Sequence, residues 1–105
     1  MLTPTDIADY GERHVEKWLI EHGYRCYHHK QLHGSKDLEA RSDENNLLIH
    51  VNASLEPRHA PDLTQTDHDS VCARAMMLGF DPWMAQVQVD RHGDLFGEIE
   101  WKKLK

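Results

Sequence analysis

Residues 35–41, SKDLEAR, and residues 47–52, LLIHVN, decide how this chain is predicted to fold. Each segment contains most or all of a predicted β-strand, and the polar residues 42–46 between the strands form a link of the length that hairpins use. The hairpin sets Asp37, near the start of its first strand, beside His50 and Asn52 on its second strand. Because residues two apart on a strand share a face, His50 and Asn52 are expected to point the same way.

The composition is that of an ordinary globular protein, with 105 residues, 39% hydrophobic and 29% charged. This length predicts one domain, residues 1–105. No apolar run approaches the roughly 20 residues that span a bilayer, and the first residues lack the basic and apolar blocks of a signal peptide. We therefore predict a cytoplasmic protein with no membrane partner. Cys26 and Cys72 have no CxxC spacing and are predicted to be reduced, mostly buried thiols.

The formal net charge of −6 counts against non-specific binding to nucleic acid, which usually needs a basic surface. It does not exclude nucleic acid as a partner, because carboxylates can serve a metal site and histidines gain charge below about pH 6.5. A protein-binding or inhibitory role needs no basic groove and is the alternative from a different class.

Capping and turn residues set the predicted boundaries of the elements. Thr3, Pro4 and Asp6 form a helix start with capping-box spacing, and Gly23 supplies the left-handed end. A second helix is predicted over residues 63–78 and ends at Gly79. The apolar run 47–49 predicts a central strand covered on both faces. Strands are predicted at residues 24–30, 37–41, 47–53, 83–89 and 95–101, which gives the order αβββαββ.

This order, together with local matches, resembles the restriction-endonuclease-like superfamily, the PD-(D/E)XK nucleases, and is nearest to its archaeal Holliday-junction resolvase-like branch. The matches are the Glu12–Arg13 pair on the first helix, the Gly23–Tyr24 step before the first strand and the segment 37–40, DLEA. Residues 73–75 and 79–85 resemble the family's second helix and the strand after it. The resemblance implies an α/β fold with a central mixed sheet flanked by helices.

The resemblance also implies a metal-dependent phosphodiesterase site. In the family, an acid on the first helix and one on each of two strands bind divalent cations, and a lysine two residues after the last acid orients the attacking water. Carried onto this chain, Glu12, Asp37 and His50 take the metal positions. The proposed catalytic residues are then Asp37, His50 in the acid position, Asn52 in the lysine position and Lys36, where the family has proline.

The replaced residues predict that the site is eroded and inactive. Imidazole is a poorer ligand for Mg²⁺ than carboxylate, and Asn52 is neither a cation nor a base. Lys36 or Lys30 would have to supply the absent charge. The chain is thus interpreted as a nuclease-like domain of a nucleic-acid-processing protein that uses no cofactor.

Two alternatives remain open. One is an active endonuclease or junction resolvase that uses Mg²⁺ or Mn²⁺ on branched or duplex DNA. A homodimer belongs to this alternative, since junction-cleaving relatives act as two-fold pairs. The other is a non-catalytic module with a protein partner. A zinc site at His28, His29 and His33 is disfavoured, because their spacing fits none of the usual patterns.

Overall fold

The structure, a computed structural model, describes residues 1–28 and 37–105. Its elements follow the predicted order αβββαββ, which is confirmed. They are α1 (Pro4–Glu21), β1 (Arg25–His28), β2 (Asp37–Arg41), β3 (Asn46–Leu55), α2 (Gln65–Leu78), β4 (Asp81–Val89) and β5 (Glu100–Lys103). Neither helix in this part of the chain is long and apolar enough to cross a membrane.

The five strands form one mixed sheet in the order β1-β2-β3-β4-β5. The β3–β4 pair is parallel, and the other three pairs are antiparallel. The parallel pair is the crossover in which α2 connects β3 to β4, as parallel neighbours require. The predicted α/β class with a central mixed sheet and flanking helices is therefore confirmed.

The helix ends are fixed by the residues that the sequence indicated. The Thr3 hydroxyl accepts from the Asp6 N–H at 3.1 Å, and the Asp6 carboxylate accepts from the Thr3 N–H at 2.9 Å. Gly23 follows the end of α1 with a φ of +90°, where residues with a Cβ are strained. Helix α2 begins after the cap Thr64, two residues later than predicted, and ends at Gly79 as predicted.

The two helices cover opposite faces of the central strand. Val15 and Leu19 of α1 pack with Ile49 and Val51 of β3 in the larger core, whereas Val71 and Ala75 of α2 pack against Leu48. Successive side chains of a strand point to opposite faces, so the odd-numbered residues of β3 face α1 and the even-numbered residues face α2. We call these the α1 face and the α2 face. The prediction that this strand is covered on both sides is confirmed.

The last strand is where the prediction from sequence was wrong. It was predicted over residues 95–101 but runs from Glu100 to Lys103, and Leu95 makes only an isolated bridge to Val89. Gly97 has a φ of +74°, which interrupts the extended backbone before β5 begins. The predicted first strand is observed over Arg25–His28 and begins one residue later than predicted, while residues 29–30 and the turn at residues 34–35 lie outside the described residues.

Both cysteines are free thiols and half-buried. Burial, helped by the negative charge of Glu16, raises the pKa of Cys26 to about 11. A thiol with so high a pKa is a poor nucleophile near neutral pH, which agrees with a packing role.

Candidate functional site

The hairpin of β2 and β3 brings Asp37, His50 and Asn52 together on the α2 face. Asp37 is the register partner of His50, and Asn52 lies two residues further along the same strand. The Asp37 residue is buried, with 3% of its surface exposed, while His50 and Asn52 are half-buried. The arrangement of these three side chains follows directly from strand pairing.

Both oxygens of the Asp37 carboxylate accept hydrogen bonds from side chains that can carry positive charge. Its Oδ1 lies 3.0 Å from Nδ1 of His50, and its Oδ2 accepts from Nε of Arg74 at 2.9 Å and also from Nη2 of Arg74. Arg74 projects from α2, and 30% of its side chain is exposed. A guanidinium is permanently charged and is among the strongest hydrogen-bond partners of a carboxylate.

Opposing influences act on the pKa of Asp37. Burial is the largest of them and raises the pKa, but the hydrogen bonds from His50 and Arg74, together with their charges, outweigh it. The net result is a pKa below the ordinary value of an aspartate. Asp37 is therefore ionised at neutral pH, and its negative charge is held by a partner from the same chain.

The next link in this network joins His50 to Asn52. Nε2 of His50 lies 3.1 Å from Oδ1 of Asn52, whose Nδ2 donates to the carbonyl of Pro61 at 2.9 Å and lies 3.8 Å from the sulfur of Met84. Because the amide nitrogen donates to a carbonyl, its oxygen is the atom that faces the ring. An imidazole that carries both protons donates at both nitrogens, to Asp37 and to Asn52.

A row of polar side chains continues along the α2 face, beyond the reach of α2. The loop of residues 56–64 lies over this row and is held through its backbone carbonyls. Ser54 and Gln88 donate to the carbonyl of Arg58, and Gln86 donates to the carbonyls of Ala60 and Pro61. The loop thereby covers the part of the sheet next to Asn52.

The far end of this loop is held by charge. Nζ of Lys102, on β5, lies 2.7 Å from the carboxylate of Asp62, and Gln86 donates to the same oxygen at 3.1 Å. The hydrogen bond and charge of Lys102 lower the pKa of Asp62, with a smaller contribution from Gln86. Asp62 is exposed, so we regard this pair as a weak restraint that positions the loop.

The other two predicted site residues are Glu12 and Lys36. Glu12 is half-buried on α1, and its neighbour Gly11 packs against Ala53 on the α1 face of β3. Lys36 lies outside the described residues, as do Lys30, His29 and His33. His28 lies on β1, where its Nε2 is 2.8 Å from a carboxylate oxygen of Glu16.

The donors on the α2 face do not fit Mg²⁺. That ion prefers several oxygen ligands in octahedral geometry, whereas the Asp37 oxygens are already engaged and the neighbouring group is an imidazole. Within residues 1–28 and 37–105, no group of three or more His, Cys, Asp or Glu side chains is placed to hold a metal ion. The assignment of Glu12, Asp37 and His50 as metal ligands stays a prediction.

Arg74 is the residue of this site that sequence reasoning missed. In the sequence it stands out only within the local match at residues 73–75. Its position on the helix nevertheless indicates that it lies near the sheet. Arg74 follows Val71 by three residues and precedes Ala75, and both of these are buried against the sheet. A cation on that side of α2 lies beside the strand that it covers.

Comparison with known proteins supports the fold. No family model matches the sequence, and no curated protein is detectably similar to it. The structure is similar to that of Hjc, a Holliday junction resolvase from the archaeal hyperthermophile Archaeoglobus fulgidus, with a TM-score of 0.67. The match covers 92% of this chain and 72% of that chain at 13% sequence identity. The likeness shows a shared nuclease-like fold.

Proposed function

We propose that this chain is a nuclease-like domain that binds nucleic acid and does not cleave it. The observation that carries the proposal is the Asp37 carboxylate, which is held on one oxygen by Arg74 and on the other by His50. The structural neighbour is a Holliday junction resolvase, which supports branched or duplex DNA as the partner to test first.

The chemistry of hydrolysis explains why these contacts oppose catalysis. A divalent metal lowers the pKa of a bound water and clamps the phosphate oxygens, and carboxylates hold that metal. The Arg74 guanidinium can neutralise the charge of Asp37, but it cannot coordinate a water or activate it. Asn52, in the position that the resemblance assigns to lysine, uses its amide for His50 and for the Pro61 carbonyl.

A direct test is incubation of the purified chain with four-way junction, duplex and single-stranded DNA in the presence of Mg²⁺ or Mn²⁺. We expect binding in a gel-shift or anisotropy assay and no cleavage above the protein-free control. Cleavage that is lost in Asp37→Asn and retained in Asp9→Asn, an exposed carboxylate on α1, would overturn the proposal.

A gain-of-function variant sharpens the test. The double substitution His50→Glu with Asn52→Lys restores the acid and the amine that the resemblance implies, and Arg74→Gln in the same chain releases Asp37. If the local chemistry is what prevents cleavage, this triple variant acquires metal-dependent activity, provided that it remains folded. Its Mn²⁺ affinity, measured by paramagnetic broadening of NMR signals, reports the restored metal site independently of turnover.

A non-catalytic role with a protein partner is the second candidate. The net charge of −6 favours it, as does the end of α2, where Met76 and Met77 are 67% and 87% exposed. If no nucleic acid binds at physiological ionic strength while the protein stays folded, this second candidate replaces the first. Binding to DNA that weakens with added salt supports the first.

A further inference from the structure

All three tryptophans of the chain converge on one pocket on the α1 face, at the end of the sheet where β4 begins. Its volume is about 320 Å³, and it is lined by Trp18, Tyr24, Asn45, Leu47, Trp83 and Trp101. The sequence predicted these tryptophans as core residues. They do pack against the core, but each is only half-buried, so ring surface remains available in the pocket.

The rings are held in place by contacts around them. The centroids of Trp18 and Trp101 are 4.8 Å apart with the planes tilted by 45°, and His22 stacks on Trp18 at 3.7 Å. Nδ1 of His22 lies 2.7 Å from the Trp18 carbonyl, which fixes the stacked ring. The Tyr24 hydroxyl donates to Asn45 at 2.9 Å. The pocket is therefore pre-organised, which lowers the entropic cost of binding.

The lining indicates recognition through ring faces. Four of the six side chains are aromatic and a fifth is leucine, while the Tyr24 hydroxyl proton is already used by Asn45. The face of an aromatic ring carries negative electrostatic potential, and indole carries the strongest. A ligand that fits such a lining needs an apolar surface, and a positive charge on the ligand would strengthen its binding.

The surroundings of the pocket also favour a cation. Helix α1 ends one turn after Trp18 with no basic residue in its last turn, so the negative end of its dipole lies at this corner. Asp81 pairs in register with Leu47 and shares a face with Trp83, whereas Lys103 pairs with Trp83. Three charged residues next to lining residues belong by register to the α2 face, namely Arg25, Glu100 and Lys102. Of the others placed beside the lining by sequence or register, the acids are Glu21, Asp43, Glu44 and Asp81, and the cations are Lys17 and Lys103.

We propose that this pocket binds a quaternary ammonium group. Such a group has a positive charge and an apolar surface but no N–H to satisfy, which matches aromatic faces better than a hydrated primary ammonium does. The volume lies at the small end of ligand sites, about 300–1,000 Å³, and admits the head group with part of its chain. This inference is independent of the proposed nuclease-like role, because the pocket lies on the opposite face of the sheet from His50.

The test is a titration of the full chain with choline and with its neutral carbon isostere, in which a tert-butyl group replaces trimethylammonium. Since every tryptophan lines the pocket, indole fluorescence and indole N–H signals in NMR report this site alone. We expect saturable shifts with choline and about tenfold weaker binding of the isostere, within the range of cation–π energies. Equal binding of the isostere, or no saturable shift with choline, overturns the proposal.

Substitutions in and near the pocket test whether choline binds there. Trp83→Ala is expected to weaken choline binding about tenfold and Trp83→Phe less, while Phe96→Ala, an exposed aromatic at the other end of β4, leaves it unchanged. Asp81→Asn should weaken binding and Lys103→Gln should strengthen it, each by about two- to threefold. These two exposed positions keep the test valid if a tryptophan variant unfolds. Unchanged affinity in Asp81→Asn and Lys103→Gln contradicts the electrostatic argument.

Two sources of the same group can be separated by the same assay. One arm uses trimethyllysine with its backbone blocked as neutral amides, and the other uses phosphocholine. The carboxylates beside the pocket repel a phosphate, so we expect the trimethyllysine arm to bind more tightly. Tighter binding of phosphocholine overturns the argument that the acidic residues near the pocket favour a cation.

Discussion

The two faces of β3 hold the same strand in different ways. On the α1 face, Ile49 and Val51 are buried among apolar side chains. On the α2 face, His50, Asn52 and Ser54 are held by hydrogen bonds to a carboxylate and to loop carbonyls. Burial of apolar surface is non-directional, whereas each polar contact requires one particular partner.

This difference explains how the fold can tolerate changes on one face of the sheet more easily than on the other. The α1 face supplies the larger core and needs only apolar residues of suitable volume. The α2 face contains the residues of the candidate site, and replacement of any of them requires that its neighbours find another hydrogen-bond partner. Arg74 is a partner of this kind for Asp37, because its permanent charge, together with the hydrogen bond from His50, offsets the cost of burying the carboxylate.

The largest expected loss of stability comes from a substitution on the α1 face. Ile49→Ala removes a side chain with no exposed surface and should lower the free energy of unfolding by about 3–4 kcal/mol. Urea denaturation followed by circular dichroism measures the change. Ile20→Ala removes an isoleucine that is 57% exposed and should cost less than about 1 kcal/mol. Equal costs for the two variants would contradict the description of the α1 face.

The second prediction concerns the ion pair on the α2 face. Arg74→Ala removes the guanidinium partner of the buried Asp37 carboxylate and should cost about 2–3 kcal/mol, less than for a fully buried pair because Arg74 is partly exposed. Lys102→Ala, which removes the cation paired with the exposed Asp62, should cost less than about 1 kcal/mol. Asp37→Asn is expected to reduce the cost of Arg74→Ala, and additive effects in this cycle would exclude a direct interaction.

A smaller loss of stability is expected from the polar side chains of the α2 face that bind the loop of residues 56–64. Asn52→Ala removes the acceptor of His50 and the donor to the Pro61 carbonyl, and should cost about 1–2 kcal/mol. Gln88→Ala removes a single more exposed hydrogen bond to the same loop and should cost about 0.5–1 kcal/mol. Amide hydrogen exchange in the loop should quicken in both variants, more in Asn52→Ala. Unchanged exchange would show that these amides do not hold the loop.

The smallest expected effect is the acid dependence of Asp37. Its pKa is lowered in the folded protein, so its contribution to stability is present above the ordinary value of about 3.9 and is lost as pH falls through the folded value. The difference in unfolding free energy between the natural chain and Asp37→Asn should therefore shrink on acidification. Asp6, Asp62 and Asp90, which also have lowered pKa values, are present in both proteins and cancel. A constant difference would contradict the lowered pKa.

Local signals allowed most of the fold to be predicted from sequence. Thr3, Asp6 and Gly79 act within one helical turn, so their roles are visible in a short window of residues. The β2–β3 hairpin was predicted for the same reason, and with it the proximity of Asp37 and His50. The last strand was placed wrongly, because Gly97 adopts a positive φ that alternation of side chains does not reveal.

The partners in the candidate site were harder to predict because they are distant in sequence. Arg74 is 37 residues from Asp37, and the contact depends on how α2 crosses the sheet. Asn52 and Gln86 donate hydrogen bonds to a loop carbonyl, and the position of that carbonyl depends on the path of an irregular segment with two prolines. Residue types and spacing identify candidate donors, but they do not specify which distant atoms those donors meet.

The manner in which the loop is fastened has a consequence for variation. The loop accepts these hydrogen bonds through the backbone carbonyl oxygens of Arg58, Ala60 and Pro61, and every amino acid has such an oxygen. Their side chains can consequently diversify without loosening the anchor, whereas the amides beneath them are restricted in identity. This segment is thus a natural place for new recognition to evolve, or for a short foreign sequence to be grafted, on an otherwise unaltered scaffold.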